Sequence, residues 1–230
     1  MTRPQRLVFG EDAELYDRVR PSYPDELIDD VVRLVGTPCR AVDAGCGTGR
    51  VAVALADRGV QVVGVEPDPA MAAVARRNLA PYPCCEVEES DFEDWTPPQV
   101  GSFDLVTSGQ AWHWIEPARG TRVAERALRR GGWLAILRTD WERETTPLRR
   151  MIDAAYAEHE PGNSTCVAPE PGKRLVPEDS EFGEAVRREY RWSQTFAAAE
   201  MVGALENRVK PSSAPRRAPR TTFRSDLRRD

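Results

Sequence analysis

The chain has 230 residues, a hydrophobic share of 40% and a formal net charge of −5, the profile of one ordinary globular domain with room for a short tail. No apolar run approaches the ~18 residues of a membrane span, and the opening residues lack an apolar stretch followed by small residues, so a cytoplasmic chain without membrane insertion or a cleaved leader is expected. Residues 1–207 carry 24 basic and 35 acidic residues, against 8 and 2 in 208–230; an acidic body repels a phosphate backbone, so no nucleic-acid partner is expected.

Along the chain, a helix is expected over Glu11–Val19, ending before Arg20-Pro21. A second follows Tyr23-Pro24, where Leu27, Ile28, Val31, Val32, Leu34 and Val35 recur at helical spacing until Gly36. Arg40–Ala44 reads as the first strand, then come a glycine-rich turn and a helix from Thr48 to Arg58. Gln61–Val65 is a strand, Pro69–Leu79 a helix, Cys85–Val87 a short strand and Phe103–Thr107 a firmer one. Glu116–Arg129 reads as a helix closed by Gly131-Gly132, before a strand at Trp133–Leu137. This alternation predicts an α/β fold with a Rossmann-like, doubly wound, mostly parallel sheet. After Trp141 a helix is expected at Leu148–His159, a loop at Glu160–Asp179, mixed strand character in Phe182–Phe196 and a helix over Ala197–Arg208. The Pro/Ser/Arg-rich residues 208–230 read as a disordered basic tail.

Five cysteines without a CxxC spacing argue against a disulfide framework or a zinc site, and two histidines, His113 and His159, leave no metal site to propose. The strongest chemical signal is the run from Ala41 through Asp43, Gly45, Gly47 and Gly49 to Arg50, a glycine loop between a strand and a helix. Glycines let a ligand approach the backbone, and free N–H groups at a helix start favour carboxylate or phosphate. The spacing is GxGxG, and Arg50 stands where a nicotinamide site would carry a third glycine, which disfavours a dehydrogenase. Asp43 can accept from a ligand ammonium, Glu66 at the end of the second strand can accept from both hydroxyls of a ribose, and Asp91-Phe92 after the third strand can meet an adenine by carboxylate and ring.

From about residue 9 to 140 these features resemble the class I S-adenosylmethionine-dependent methyltransferases. Within them the chain is similar to the small-molecule group related to the trans-aconitate and ubiquinone-biosynthesis methyltransferases, with a methyltransferase type 11 domain. Phe9, Tyr16, Arg20-Pro21 and Tyr23-Pro24 resemble that group's N-terminal segment, and Ala111–Trp114 and Ala127–Leu134 its motifs around strands four and five. The resemblance implies S-adenosyl-L-methionine as cofactor. Asp43, Gly45 and Gly47 would contact its methionine portion, Glu66 its ribose, and Pro67, Met71, Asp91 and Phe92 its adenine. Gln110 would lie beside the sulfonium, with Tyr16 and Arg20 folding over as a lid.

The implied organisation is a methyltransferase domain over 1–207, comprising a helical lid at 9–36, a cofactor-binding core at 37–140 and an acceptor-side segment at 141–207, followed by the tail at 208–230. Related chains close the sheet with an antiparallel sixth and seventh strand; no seventh is evident after Arg208, so that pair is expected to be incomplete. Plainer readings stand beside these. The glycine loop can be a tight turn, Glu66 a solvated acid, Asp91 one of several loop charges, and Tyr16 and Arg20 mere pins of the first helix. His113 is a candidate general base, but the favoured reading is a partly buried, backbone-bonded histidine; Trp112 and Trp114 read as packing or pocket wall, Cys46 as close packing and Cys84-Cys85 as a buried pair. The expected function is methyl transfer by direct displacement to a small carboxylated or lipophilic acceptor, in a monomer or weak homodimer. The alternative is a non-catalytic or degenerate cofactor-binding homologue.

Overall fold

The computed structural model describes residues 12–36, 39–139, 150–151, 154, 175–194 and 224–229. In chain order the elements are α1 (Ala13–Val19), α2 (Asp25–Val35), β1 (Arg40–Ala44), α3 (Arg50–Ala56), β2 (Gln61–Val65), α4 (Pro69–Leu79), β3 (Glu86–Glu88), β4 (Phe103–Gly109), α5 (Pro117–Ala127), β5 (Leu128–Leu137), β6 (Phe182–Ala185) and β7 (Arg224–Arg229). In β1 and β2 every residue after the first is buried, the pattern of parallel strands covered on both faces. They pair in parallel from Arg40 opposite Gln61 to Ala44 opposite Val65, β3 adds parallel to β2, and β4 and β5 add parallel on the other side of β1.

Strand alternation sends side chains to two cores. Val42, Val63, Val65, Val106 and Leu134 join Val123, Ala124 and Ala127 of α5 on one face. Ala41, Val62, Leu105 and Leu137 join Leu27, Ile28 and Val31 of α2 and Val51 and Leu55 of α3 on the other. Helix starts follow the local sequence: Asp68 caps α4 by accepting from the Ala70 and Met71 amides, and Glu116 caps α5 by accepting from Ala118 and Arg119, each with proline at the first helical position.

The expected doubly wound, mostly parallel sheet is therefore present. Two local differences have clear causes. The third helix begins at Arg50 rather than Thr48, because Gly49 is left-handed (φ 85°). The helix expected to run to Arg129 ends at Ala127, and Gly131-Gly132 lie within β5 instead of closing it. Leu128 pairs with Phe103 and Trp133 with Leu105, so residues 129–132 bulge opposite Asp104. There Gly131 takes φ 72°, and a Cβ on Gly132 would lie 3.0 Å from the Arg129 carbonyl oxygen.

The C-terminus requires a larger correction. Residues 224–229, expected to lie in a disordered tail, form β7, and the sheet runs β3-β2-β1-β4-β5-β7-β6. β7 is antiparallel to both β5 and β6, so the sixth and seventh strands form the pair that had been expected to be incomplete. Arg224–Arg229 contains one apolar residue, Leu227, and gives no periodic signal; main-chain pairing on both sides defines the strand, and such pairing needs no apolar alternation. The expected strand region Phe182–Phe196 reduces to Phe182–Ala185, after which Arg188 and Tyr190 bond Asp30 of α2 at 3.0 and 2.6 Å. Residues 208–223, the helix at Ala197–Arg208, the loop at 160–174 and most of Leu148–His159 lie outside the described residues, as does Phe9.

Deleting residues 224–230 unpairs β5 and β6 and exposes two strand edges. The expected result is a lower Tm together with stronger concentration-dependent association in light scattering than the full chain gives.

Candidate active site

The carboxyl ends of the parallel strands β1, β2, β3 and β4 share one edge of the sheet, the edge whose crevice binds ligands in parallel α/β sheets. After β1 the chain turns back on itself, and the Gly45 and Cys46 amides both donate to the Val65 carbonyl, at 2.9 and 3.1 Å. Gly45 has φ 68°, and a Cβ there would sit 2.5 Å from the Cβ of Ala111, so both conformation and space require glycine. Cys46 is buried, and a Cβ on Gly64 would lie 2.8 Å from its sulfur. Burial pushes the Cys46 thiol well up, so it packs and is no nucleophile. Of the other expected cysteine pair, Cys84 is exposed and Cys85 only partly buried, because the pair precedes β3 rather than lying in it.

Glu66 is 7% exposed. One carboxylate oxygen accepts from the Gly47 amide at 2.9 Å and the other from the Asp68 amide at 3.0 Å, which leaves further lone pairs for a diol. Burial raises its pKa, the two amides opposing, and Asp91 is among the charges that add to the rise. Asp43 is completely buried. Its Oδ1 accepts from the Thr107 hydroxyl at 2.9 Å, while Oδ2 has no hydrogen bond. Burial pushes Asp43 up to about 7; the Glu66 charge adds to this, and Thr107 and the Ala52 backbone oppose it.

Gln110, directly after β4, is the one described non-glycine residue with positive φ, at 57°. Its amide donates to Leu137 and its side-chain Nε2 to Thr139, both at 2.9 Å; a strained conformation held from two sides is typical of a working position. Met71 is buried, with its Cε 3.5 Å from where a Cβ on Gly47 would be, and Pro67 is half-buried. Met71 also packs with Ala13, Val74 and Tyr16, and the Arg20 guanidinium lies 4.7 Å over the Tyr16 ring. Asp91 is half-buried. The Phe92 ring is 2% exposed within the core, 6.0 Å from Trp95 and 6.2 Å from Trp112. Its aromatic face is thus occupied by protein and is not open to a base.

His113 is exposed on a short 3₁₀ turn at Trp112–Trp114, its ring 4.7 Å from that of Trp114, so the reading as a partly buried histidine does not hold. Trp112 is buried and donates to the Leu175 carbonyl at 2.8 Å. Sequence reasoning missed Thr107, which meets Asp43 because the two are partners in the β1–β4 register, and gave no role to Tyr23. The Tyr23 hydroxyl lies 2.7 Å from the position of a Cβ on Gly109, and burial raises its pKa. Arg50 was noted only as a missing glycine. It donates to the Asp17 carbonyl and ties α1 to the loop.

A family profile described as a methyltransferase domain matches residues 42–136, the segment that holds Asp43, the loop, Glu66, Asp91 and Gln110. Residues 42–136 thus form a methyltransferase domain. An uncharacterized methyltransferase of Mycobacterium tuberculosis is 29% identical over 93% of this chain and 81% of its own length. The trans-aconitate 2-methyltransferase of Deinococcus radiodurans is 34% identical over 42% of this chain and 36% of its own. In fold, an S-adenosyl-L-methionine-dependent methyltransferase of Methanococcus maripaludis superposes with a TM-score of 0.54 at 22% identity, covering 70% of this chain and 76% of the other. The donor set fits S-adenosyl-L-methionine: Asp43 has a buried oxygen without a hydrogen-bond partner, and both oxygens of Glu66 are pre-oriented by amides.

Neutral Asp43 stabilises the fold below its unfolded pKa of about 3.9, and that stabilisation is lost as the pH rises through about 7. The wild-type stability, and with it the Tm, is therefore expected to fall between pH 5 and pH 8, and Asp43→Asn to reduce that loss of stability by roughly 1–3 kcal/mol. Differential scanning calorimetry at the two pH values checks this; equal slopes in both proteins would contradict it.

Proposed function

We propose that this methyltransferase transfers a methyl group to a small-molecule acceptor by direct displacement, with Asp43, Gly45, Gly47, Glu66, Pro67, Met71, Asp91, Phe92 and Gln110 holding the cofactor under a lid formed by Tyr16 and Arg20. The observation that carries this reading is the pair of buried carboxylates at the ends of adjacent parallel strands. One has an unpartnered oxygen, and the other is gripped by the glycine loop itself. An ammonium donating to Asp43 and a ribose diol donating to Glu66 would supply the missing donors.

When bound, S-adenosyl-L-methionine supplies an activated methyl group on a sulfonium, which carries the driving force for transfer. The protein's task is then alignment and exclusion of water. Gly45 and Gly47 bring the backbone within reach, Gln110 is locked beside the crevice by its bonds to Leu137 and Thr139, and the buried walls limit water. His113 is the proposed proton acceptor, needed when the acceptor atom is protonated, as in an alcohol, and dispensable for a carboxylate. The relatives named for their acceptors, trans-aconitate and magnesium protoporphyrin methyltransferases, support a small-molecule acceptor. Among the described residues no helix is long and apolar enough to cross a membrane, and we place the enzyme in the cytoplasm as a monomer or weak homodimer, independent of nucleic acid. The non-catalytic alternative drew on an incomplete sheet end, and β7 removes that support.

Calorimetric titration with S-adenosylmethionine and S-adenosylhomocysteine is expected to give micromolar binding, with none for NADH. Glu66→Ala is expected to weaken both affinities by about 2 kcal/mol or more, since two amides are left unpaired as the ribose loses its acceptor. Absence of binding by folded wild type would overturn the reading. Once an acceptor is found, His113→Ala is expected to lower kcat about a hundredfold if the acceptor atom is protonated and to leave it unchanged for a carboxylate, as measured by S-adenosylhomocysteine release.

A further inference from the structure

The lid helix α1 has seven residues, well below the ~12–15 at which an isolated helix becomes even marginally stable in water, so its position depends on what grips it. Part of that grip is apolar: Ala13 and Tyr16 pack on Met71 and Val74 of α4. The rest converges on Asp17. Its carbonyl accepts from Arg50 at the start of α3, and its carboxylate lies 3.6 Å from Arg77 and accepts from the Asn78 amide nitrogen at 3.2 Å. The same Asn78 nitrogen donates to the Thr48 carbonyl at 3.0 Å. Thr48 stands between Gly47 and Gly49 in the glycine loop, so one side-chain amide joins the lid to the cofactor loop. Both acceptors are oxygens, and the Asn78 Oδ1 faces Arg77 at 3.5 Å, which fixes the orientation of the amide. Arg77 also pairs with Glu14 one turn earlier on α1.

We infer that Asn78 is a positioning residue for methyl transfer: by bridging Thr48 and Asp17 it couples the seated glycine loop to the closed lid and sets how long the cofactor is retained. The inference rests on the proposed role of Tyr16 and Arg20 over the cofactor. Asn78 itself lies behind α1 at the C-terminal end of α4 and acts through its two partners. Asparagine suits the position because its amide group donates two bonds from one nitrogen without charge. An aspartate there would face the Asp17 carboxylate and the Thr48 carbonyl with no donor of its own.

The test compares Asn78→Ala and Asn78→Asp with Arg58→Ala, a control that removes two ion pairs from the turn after α3 to Asp25 and Asp29 of α2 and leaves the contacts of α1 in place. Cofactor dissociation rate and KM are read by stopped flow and steady-state turnover, and hydrogen exchange is followed at amides 17–20 without cofactor. Asn78→Ala is expected to speed dissociation and raise KM about tenfold with kcat retained, Asn78→Asp to do so more strongly, and both to lose protection at 17–20. Arg58→Ala is expected to change none of these, even where its Tm falls as far. Unchanged dissociation and unchanged protection in the Asn78 variants would overturn the inference while the cofactor assignment stands. If wild type binds no S-adenosylmethionine, the assignment itself fails, and the exchange measurement still decides whether Asn78 holds the lid.

Discussion

The Glu66 carboxylate joins the turn after β1 to the turn after β2. Gly47 donates to one oxygen and Asp68 to the other, and the second of these amides belongs to the residue that caps α4. One side chain thereby sets the height of the glycine loop, the start of α4 and the position of a hydrogen-bonding carboxylate in the crevice. Met71 and Asn78 then follow from the course of α4, and the lid follows from them. Two charge-assisted bonds of this kind, roughly 1.5–3 kcal/mol each, suffice to hold a loop built from residues that individually prefer no fixed conformation.

The crevice is arranged for a ligand at the expense of the empty fold. Asp43 is wholly buried with one oxygen unmatched, Glu66 is nearly as buried, and the Glu66 charge raises the protonation tendency of Asp43. An unmet buried acceptor costs about 1–3 kcal/mol, which a purely structural turn has no reason to carry. Cationic and hydroxyl groups of a ligand would relieve both acids together. The same tension appears in the backbone at Gln110, whose positive φ is held by bonds to Leu137 at the end of β5 and to Thr139 beyond it.

The distal end of the sheet follows a different rule. β7 lies between β5 and β6 through antiparallel ladders on both sides, and the segment 186–190 is fastened to α2 through Asp30. The C-terminal segments thus complete a sheet whose cofactor-binding half is already defined by β1 to β4. That separation allows the ending to diverge in composition while the crevice keeps its form.

What sequence determined alone is the alternation of strands and helices, the crevice-forming loop, and the acids Asp43, Glu66 and Asp91, because local periodicity, glycine spacing and residues at strand ends are properties of contiguous residues. Its reach ended where a position depends on distant neighbours. Gly131-Gly132 looks like a helix stop and is a bulge, because Asp104 of β4 lies opposite. Phe92 looks like a base-stacking ring and is core, because Trp95 and Trp112 close over it. His113 looks enclosed by two tryptophans, yet the 3₁₀ turn directs it to solvent. Arg224–Arg229 carries no apolar rhythm and becomes a strand because two others accept it. The partnerships of Thr107 with Asp43 and of Asn78 with Asp17 and Thr48 were decided only by tertiary structure, since strand register and helix docking bring together side chains that no spacing along the chain relates.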